Sequence, residues 1–134
     1  MQKYKINLYY KSKKKENIII QKYMICRYDD IINQIIDNLS KRATKSLKKY
    51  NIRRNYEHME LIGCSKEGLR THLEVQFTSN MSYDNYGDWE IDHIKPISRY
   101  NFSNKNEILE CFNYKNLQPL WKEDNRRKGN KICD

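Results

Sequence analysis

The chain has 134 residues, with 26 Lys and Arg against 17 Asp and Glu and a net charge of +9. That length suits one domain with a modest core, and four Gly with two Pro leave little room for extended linkers. No apolar run is long enough to cross a bilayer and no signal-peptide apolar region is present. Both absences predict a protein that has no membrane partner, is not secreted and works inside a cell, in the cytoplasm or, if the protein is viral, in the cytoplasm or nucleus of its host.

The charge is unevenly placed. Residues 1–60 hold fifteen Lys and Arg against six Asp and Glu, whereas residues 61–134 hold eleven of each. This separates a basic N-terminal region, 1–60, from a neutral remainder, 61–134, within one compact domain. The basic region suits a phosphate-binding arm whose grip weakens with salt. The bland alternative is compositional, because a chain this rich in Lys, Asn, Ile and Tyr is also what AT-rich coding sequence yields.

At the N-terminal end, Tyr4, Ile6, Leu8 and Tyr10 alternate with Lys3, Lys5, Asn7 and Lys11, and a β-rich run over 18–28 follows the polar stretch 11–17. The alternation predicts a hairpin with Lys13, Lys14 and Lys15 at its tip, or else a backward extension of the next helix. From Asp29, placed to cap, the period becomes helical: Ile31, Ile32, Ile35, Ile36, Leu39, Ala43 and Leu47 form one stripe. Lys41, Arg42, Lys45, Lys48 and Lys49 crowd its later turns as candidate nucleic-acid contacts, against the ordinary reading of a solvated face.

A polar connection over 51–60 leads to a second helix capped by Ser65, with Leu69, Leu73, Gln76 and Phe77 on one face. His72 on that helix has no partner at ligand spacing and reads as structural. A loop over 80–88 precedes a short strand, Trp89-Glu90-Ile91-Asp92-His93, which Pro96 stops. Because strand side chains alternate, Asp92 and His93 can serve one site only from a frayed strand end. Next come a two-turn helix, with Asn104 and Glu107 spaced as a capping box and Ile108, Leu109 and Phe112 buried, and a second strand over 114–121. A final helix over 123–131 carries Asn125 and then Arg126, Arg127 and Lys128, which are placed to clamp phosphates.

The residue types around His93 suit metal-assisted hydrolysis. An imidazole titrates near neutrality and can take a proton from water. Asp92 and Asn125 offer hard oxygen ligands that match Mg²⁺, or Mn²⁺, and are too few to saturate an octahedral ion, which leaves room for water and a substrate phosphate.

The ordered set Asp92-His93, Asn116 and Asn125 resembles the HNH endonucleases, in a His-Asn-Asn variant similar to phage and large-virus members. Leu61-Ile62-Gly63-Cys64-Ser65, His72-Leu73-Glu74 with Gln76-Phe77, Asn85-Tyr86-Gly87 and Asn116-Leu117-Gln118-Pro119-Leu120-Trp121 extend the likeness over the last two thirds of the chain. The resemblance implies an α+β protein with a ββα-metal core, additional helices and the basic N-terminal segment. In it His93 activates water, Asp92 and Asn125 hold the metal, and Asn116 orients the His93 loop. The implied activity is endonucleolytic cleavage of DNA to 5′-phosphate and 3′-hydroxyl ends, with no small-molecule cofactor. Many relatives of that kind bind a structural zinc through cysteine pairs, but Cys26, Cys64, Cys111 and Cys133 show no Cys-x-x-Cys spacing, so no structural zinc and reduced thiols are expected. A lone histidine at a strand end is usually structural. The rival reading is therefore a DNA-binding module that keeps the fold without cleavage, with the basic first sixty residues as its working part.

Overall fold

The computed structural model describes the backbone of residues 2–132 and the side chains of residues 13–132. It is an α+β chain of five α-helices and one two-stranded sheet among the described residues: α1 (Gln2–Lys48), α2 (His58–Ile62), α3 (Lys66–Glu74), β1 (Trp89–His93), α4 (Lys105–Phe112), β2 (Leu117–Trp121) and α5 (Lys122–Lys128). Single 3₁₀ turns precede β1, follow it and precede β2.

The hairpin expected near the N-terminus is not formed. One helix runs unbroken through 47 residues, about 70 Å at 1.5 Å per residue. The physical reason lies in what the polar stretch 11–17 lacks: it contains no Gly, the residue that most easily takes the positive φ of a two-residue hairpin turn, and no Pro to break a helix, while its four lysines and one glutamate are good helix formers. Asp29 accordingly lies inside the helix and caps nothing. Its carboxylate stands 3.7 Å from the Lys66 ammonium, between α1 and α3.

The two ends of the described part of α1 differ. Ile18, Ile19, Ile20, Tyr23 and Ile25 are exposed, whereas Ile32, Ile35, Leu39, Ala43 and Leu47 are buried. The buried stripe faces two clusters in succession. Ile32, Ile35, Ile36 and Leu39 pack with Leu69, Leu73, Tyr83, Trp89, Ile91 and Leu117. Ala43 and Leu47 pack with Leu61, Phe102, Ile108, Cys111 and Phe112. One amphipathic face thus forms a wall common to both cores, with burial as the driving term.

Short polar devices fix the segments between helices. Arg54 ties the connection after α1 back onto it, donating to the Ser40 carbonyl at 3.1 Å, the Ser40 hydroxyl and the Thr44 hydroxyl at 3.3 Å. Ser65 caps α3 as expected, its hydroxyl accepting from the Gly68 N–H at 3.0 Å. Asn104 caps α4 through the Asn106 N–H at 2.9 Å, but Glu107 accepts from the Asn101 N–H, so the reciprocal capping box is absent. Asn85 organises the loop before β1. Its side-chain oxygen accepts from the Ser82 N–H and the Trp89 indole, and its amide donates to the Asn80 carbonyl. Trp89, with no exposed surface, therefore has its one polar atom satisfied.

β1 and β2 are antiparallel with Trp89 opposite Trp121, Ile91 opposite Pro119, Asp92 opposite Gln118 and His93 opposite Leu117. A two-stranded sheet consists of edges only, which is why Pro119 is tolerated in it. α5 starts at the residue after β2 and packs against both strands. His72 of α3 bonds the Leu117 carbonyl at 2.9 Å and sets its ring edge-on to Tyr114, the structural role expected of it. No described helix is long and apolar enough to cross a membrane.

Candidate functional site

Alternation along β1 divides the candidate residues between two faces. Trp89, Ile91 and His93 share one, and Glu90 and Asp92 share the other. Asp92 and His93 both lie within the paired ladder, with His93 its last residue, so the strand does not fray before them. They nevertheless meet at one cleft, because the cleft wraps around the end of β1. This cleft of about 450 Å³ is bordered by Asp92, His93 and Asn125, with Arg42 and Ser46 of α1 and Lys49 just after its end along one wall.

His93 is 5% exposed. Its ring stands edge-on to Phe112 at 5.6 Å between centroids, and its Nε2 is the one fully buried side-chain nitrogen or oxygen among the described residues without a hydrogen-bond partner. Burial lowers its pKa to about 3, helped by the positive charges of Arg42 and Lys128. The imidazole is therefore neutral at physiological pH and keeps a lone pair available.

On the opposite face, Asp92 is held from two sides. Gln118, its cross-strand neighbour, donates to Oδ2 at 2.8 Å. The Lys128 ammonium lies 3.2 Å from Oδ1 and 3.1 Å from Oδ2, and also donates to the His93 carbonyl at 2.9 Å. Lys128 was expected to contact nucleic acid with its two neighbours, and here the structure differs. Its side chain is 2% exposed and paired inside the fold. The i, i+3 spacing of Asn125 and Lys128 places both on the strand-facing side of α5, a helical signal that the run Arg126-Arg127-Lys128 conceals when read as one basic cluster.

Asn125 reaches the same face. Its amide nitrogen donates to Glu90, which leaves its carbonyl oxygen as the atom available to the cleft. Glu90, two residues before Asp92, was not singled out from sequence. The alternation of a strand puts i and i+2 together and would have found it.

Asn116 does not border this cleft. Its side chain accepts from the Lys95 N–H at 2.9 Å and donates to the Lys95 carbonyl at 3.1 Å and the Cys111 carbonyl at 3.0 Å. Its own carbonyl accepts from the Ile94 N–H at 2.8 Å. The two residues after His93 are thereby fastened to the turn before β2, as a loop-orienting asparagine would fasten them.

Of the basic candidates, Arg42 and Lys49 border the cleft, and the Arg42 guanidinium donates to the Ile91 carbonyl at 3.2 Å. Lys41, Lys45 and Lys48 are exposed on the adjacent face of α1 and do not line it. Arg126 and Arg127 are exposed on α5, the latter 2.7 Å from the Asp124 carboxylate. Cys26, Cys64 and Cys111 are free thiols, and burial pushes Cys111 up to about 12, which keeps it protonated and inert. Cys133 lies outside the described residues.

No protein-family model matches this chain, and no solved structure matches it. Two proteins of Acanthamoeba polyphaga mimivirus do. The uncharacterized protein L426 is 38% identical over 74 residues, covering 54% of this chain and 33% of its own length. The uncharacterized protein L246 is 31% identical over 106 residues, covering 78% of this chain and 46% of its own length. The chain thus spans from a third to just under half the length of these curated relatives.

Proposed function

We propose that this chain is a metal-dependent endonuclease of the HNH type acting on DNA, its ββα-metal core formed by β1, β2 and α5. The observation that carries the reading is the convergence of Asp92, His93 and Asn125, from two separate elements, on one cleft walled by Arg42 and Lys49. The donor set fits a hard divalent cation such as Mg²⁺ or Mn²⁺. Asp92 and Asn125, which border the cleft, carry carboxylate and amide oxygens, and His93 beside them has a buried ring nitrogen without a hydrogen-bond partner.

When bound, such an ion would neutralise charge developing on the phosphate and the leaving oxygen. The remaining work belongs to the chain. Asp92 and the Asn125 carbonyl oxygen would hold the ion, and neutral His93 would accept the proton of the attacking water. The cations that depress the basicity of His93 are offset once an anionic phosphodiester enters, because a nearby negative charge favours the imidazolium. Asn116 holds the backbone after His93 in place. Arg42 and Lys49 supply positive charge where a phosphate backbone would lie, with Lys41, Lys45 and Lys48 extending it along α1 and Arg126 and Arg127 on the other side.

A second reading, a DNA-binding module without cleavage, is favoured by one observation: the Lys128 ammonium already sits on the Asp92 carboxylate. Incubating supercoiled plasmid with purified protein separates the two. Nicking in Mg²⁺ or Mn²⁺ that EDTA abolishes supports the nuclease. Salt-sensitive DNA binding with no nicking under any divalent ion supports the module.

A further inference from the structure

We infer that Lys128 is an internal stand-in for the metal: its ammonium holds the Asp92 carboxylate until a divalent cation takes it over, so that metal loading is an exchange of cations. The inference rests on the nuclease reading for the identity of the incoming ion. Its own basis is the geometry around Asp92.

A carboxylate at 7% exposure is costly to keep charged without a partner. Asp92 has two partners, and neither is solvent. Gln118 supplies a neutral N–H, and Lys128 supplies a full positive charge equally close to both oxygens. The ammonium does not depend on the carboxylate alone, because it also donates to the His93 carbonyl at 2.9 Å. It can therefore lose Asp92 to another cation and remain anchored where it is. α5 supplies both parts of the device, with Asn125 offering an oxygen to the ion and Lys128, three residues on, guarding the carboxylate that the ion needs.

Competition follows directly. A divalent ion on Asp92 would lie within a few ångströms of a buried ammonium, and the two charges repel strongly where water is scarce. Lys128 thus lowers intrinsic metal affinity while keeping the empty site intact. As a positioning residue it acts through Asp92 and touches no reacting atom.

The test uses the full chain and the metal ion alone. Thermal midpoints and isothermal titration with Mn²⁺ are measured for wild type, Lys128→Met and Lys128→Gln, the last keeping an N–H donor without charge so that folding is protected. Exchange predicts a lower midpoint than wild type in EDTA for both variants, an affinity for Mn²⁺ raised by about tenfold or more, and a larger rise in midpoint on adding the ion. A lysine that merely braces α5 would instead leave affinity unchanged or weakened. If wild type binds Mn²⁺ and neither variant binds it more tightly, the exchange is overturned and the nuclease reading stands. If no form binds Mn²⁺ and wild type nicks no plasmid, both fall together.

Discussion

The two faces of β1 present the same problem, a polar group carried into the interior, with opposite solutions. On one face, Asp92 is held by donors, the Lys128 ammonium and the Gln118 amide. On the other, His93 is packed against Phe112, kept neutral, and left with a nitrogen that nothing satisfies. A buried carboxylate given every partner is a structural element as much as a functional one, whereas a buried nitrogen given none is hard to explain by stability alone. The contrast gives the two residues different surroundings, and variants on each face test whether they also do different work.

The largest effect is expected from Asp92→Ala. It removes the carboxylate proposed to hold the metal and leaves the Lys128 ammonium buried without its counter-charge, a change that typically costs about 3–5 kcal/mol of stability. Urea unfolding in EDTA reads the stability part, and plasmid nicking at raised Mn²⁺ reads the rest. An Asp92→Ala protein as stable as wild type would mean that the ion pair contributes nothing to the fold. Next is His93→Ala, which should lower nicking by about 10² to 10⁴ while DNA and Mn²⁺ binding stay near wild type. Recovery of this variant by excess metal would instead make His93 a ligand.

Asn116→Ala leaves the polar backbone groups of Lys95 and the Cys111 carbonyl without their partner. The expected loss is about 1–3 kcal/mol, with slower nicking and an unchanged Mn²⁺ affinity. A Mn²⁺ titration that moved with this variant would place Asn116 in the metal site. A fourth effect is on acid stability. His93 takes up a proton near pH 6.5 when unfolded but only near pH 3 when folded. Its contribution is thus complete above about pH 6.5 and is lost progressively as the pH falls towards 3. Denaturant midpoints taken from pH 7 to pH 4 in EDTA should fall less steeply for His93→Gln than for wild type. Identical slopes would remove the buried, neutral imidazole from the account.

What the sequence made legible follows the range of the interactions concerned. Asp92, His93 and Asn125 stand in short stretches whose periodicity fixes which way each points, and the helical stripe from Ile31 to Leu47 announces its own buried face. The burial of Lys128 is not legible locally, because its partner lies 36 residues away and a basic run on a short helix looks solvent-facing until the strand opposite is known. Glu90, by contrast, is legible locally, because strand alternation sets it on the same face as Asp92. The N-terminal hairpin failed for another reason. In a segment built largely from Lys, Ile, Asn and Tyr, period-two alternation arises easily, and the absent Gly or Pro is the stronger signal.

Gly63, far from the cleft in sequence, acts as a spacer gauge of zero thickness. It closes α2 at φ +78, and a Cβ built there would lie 2.5 Å from the side-chain nitrogen of Asn113. That same Asn113 side chain accepts from the Lys115 N–H at 3.0 Å and so starts the turn that ends at Asn116. A single methyl group added at position 63 would push on the first residue of that turn. A substitution at position 63 would therefore strain a backbone held at φ +78 and turn the Asn113 amide aside, loosening the start of the turn that leads to Asn116.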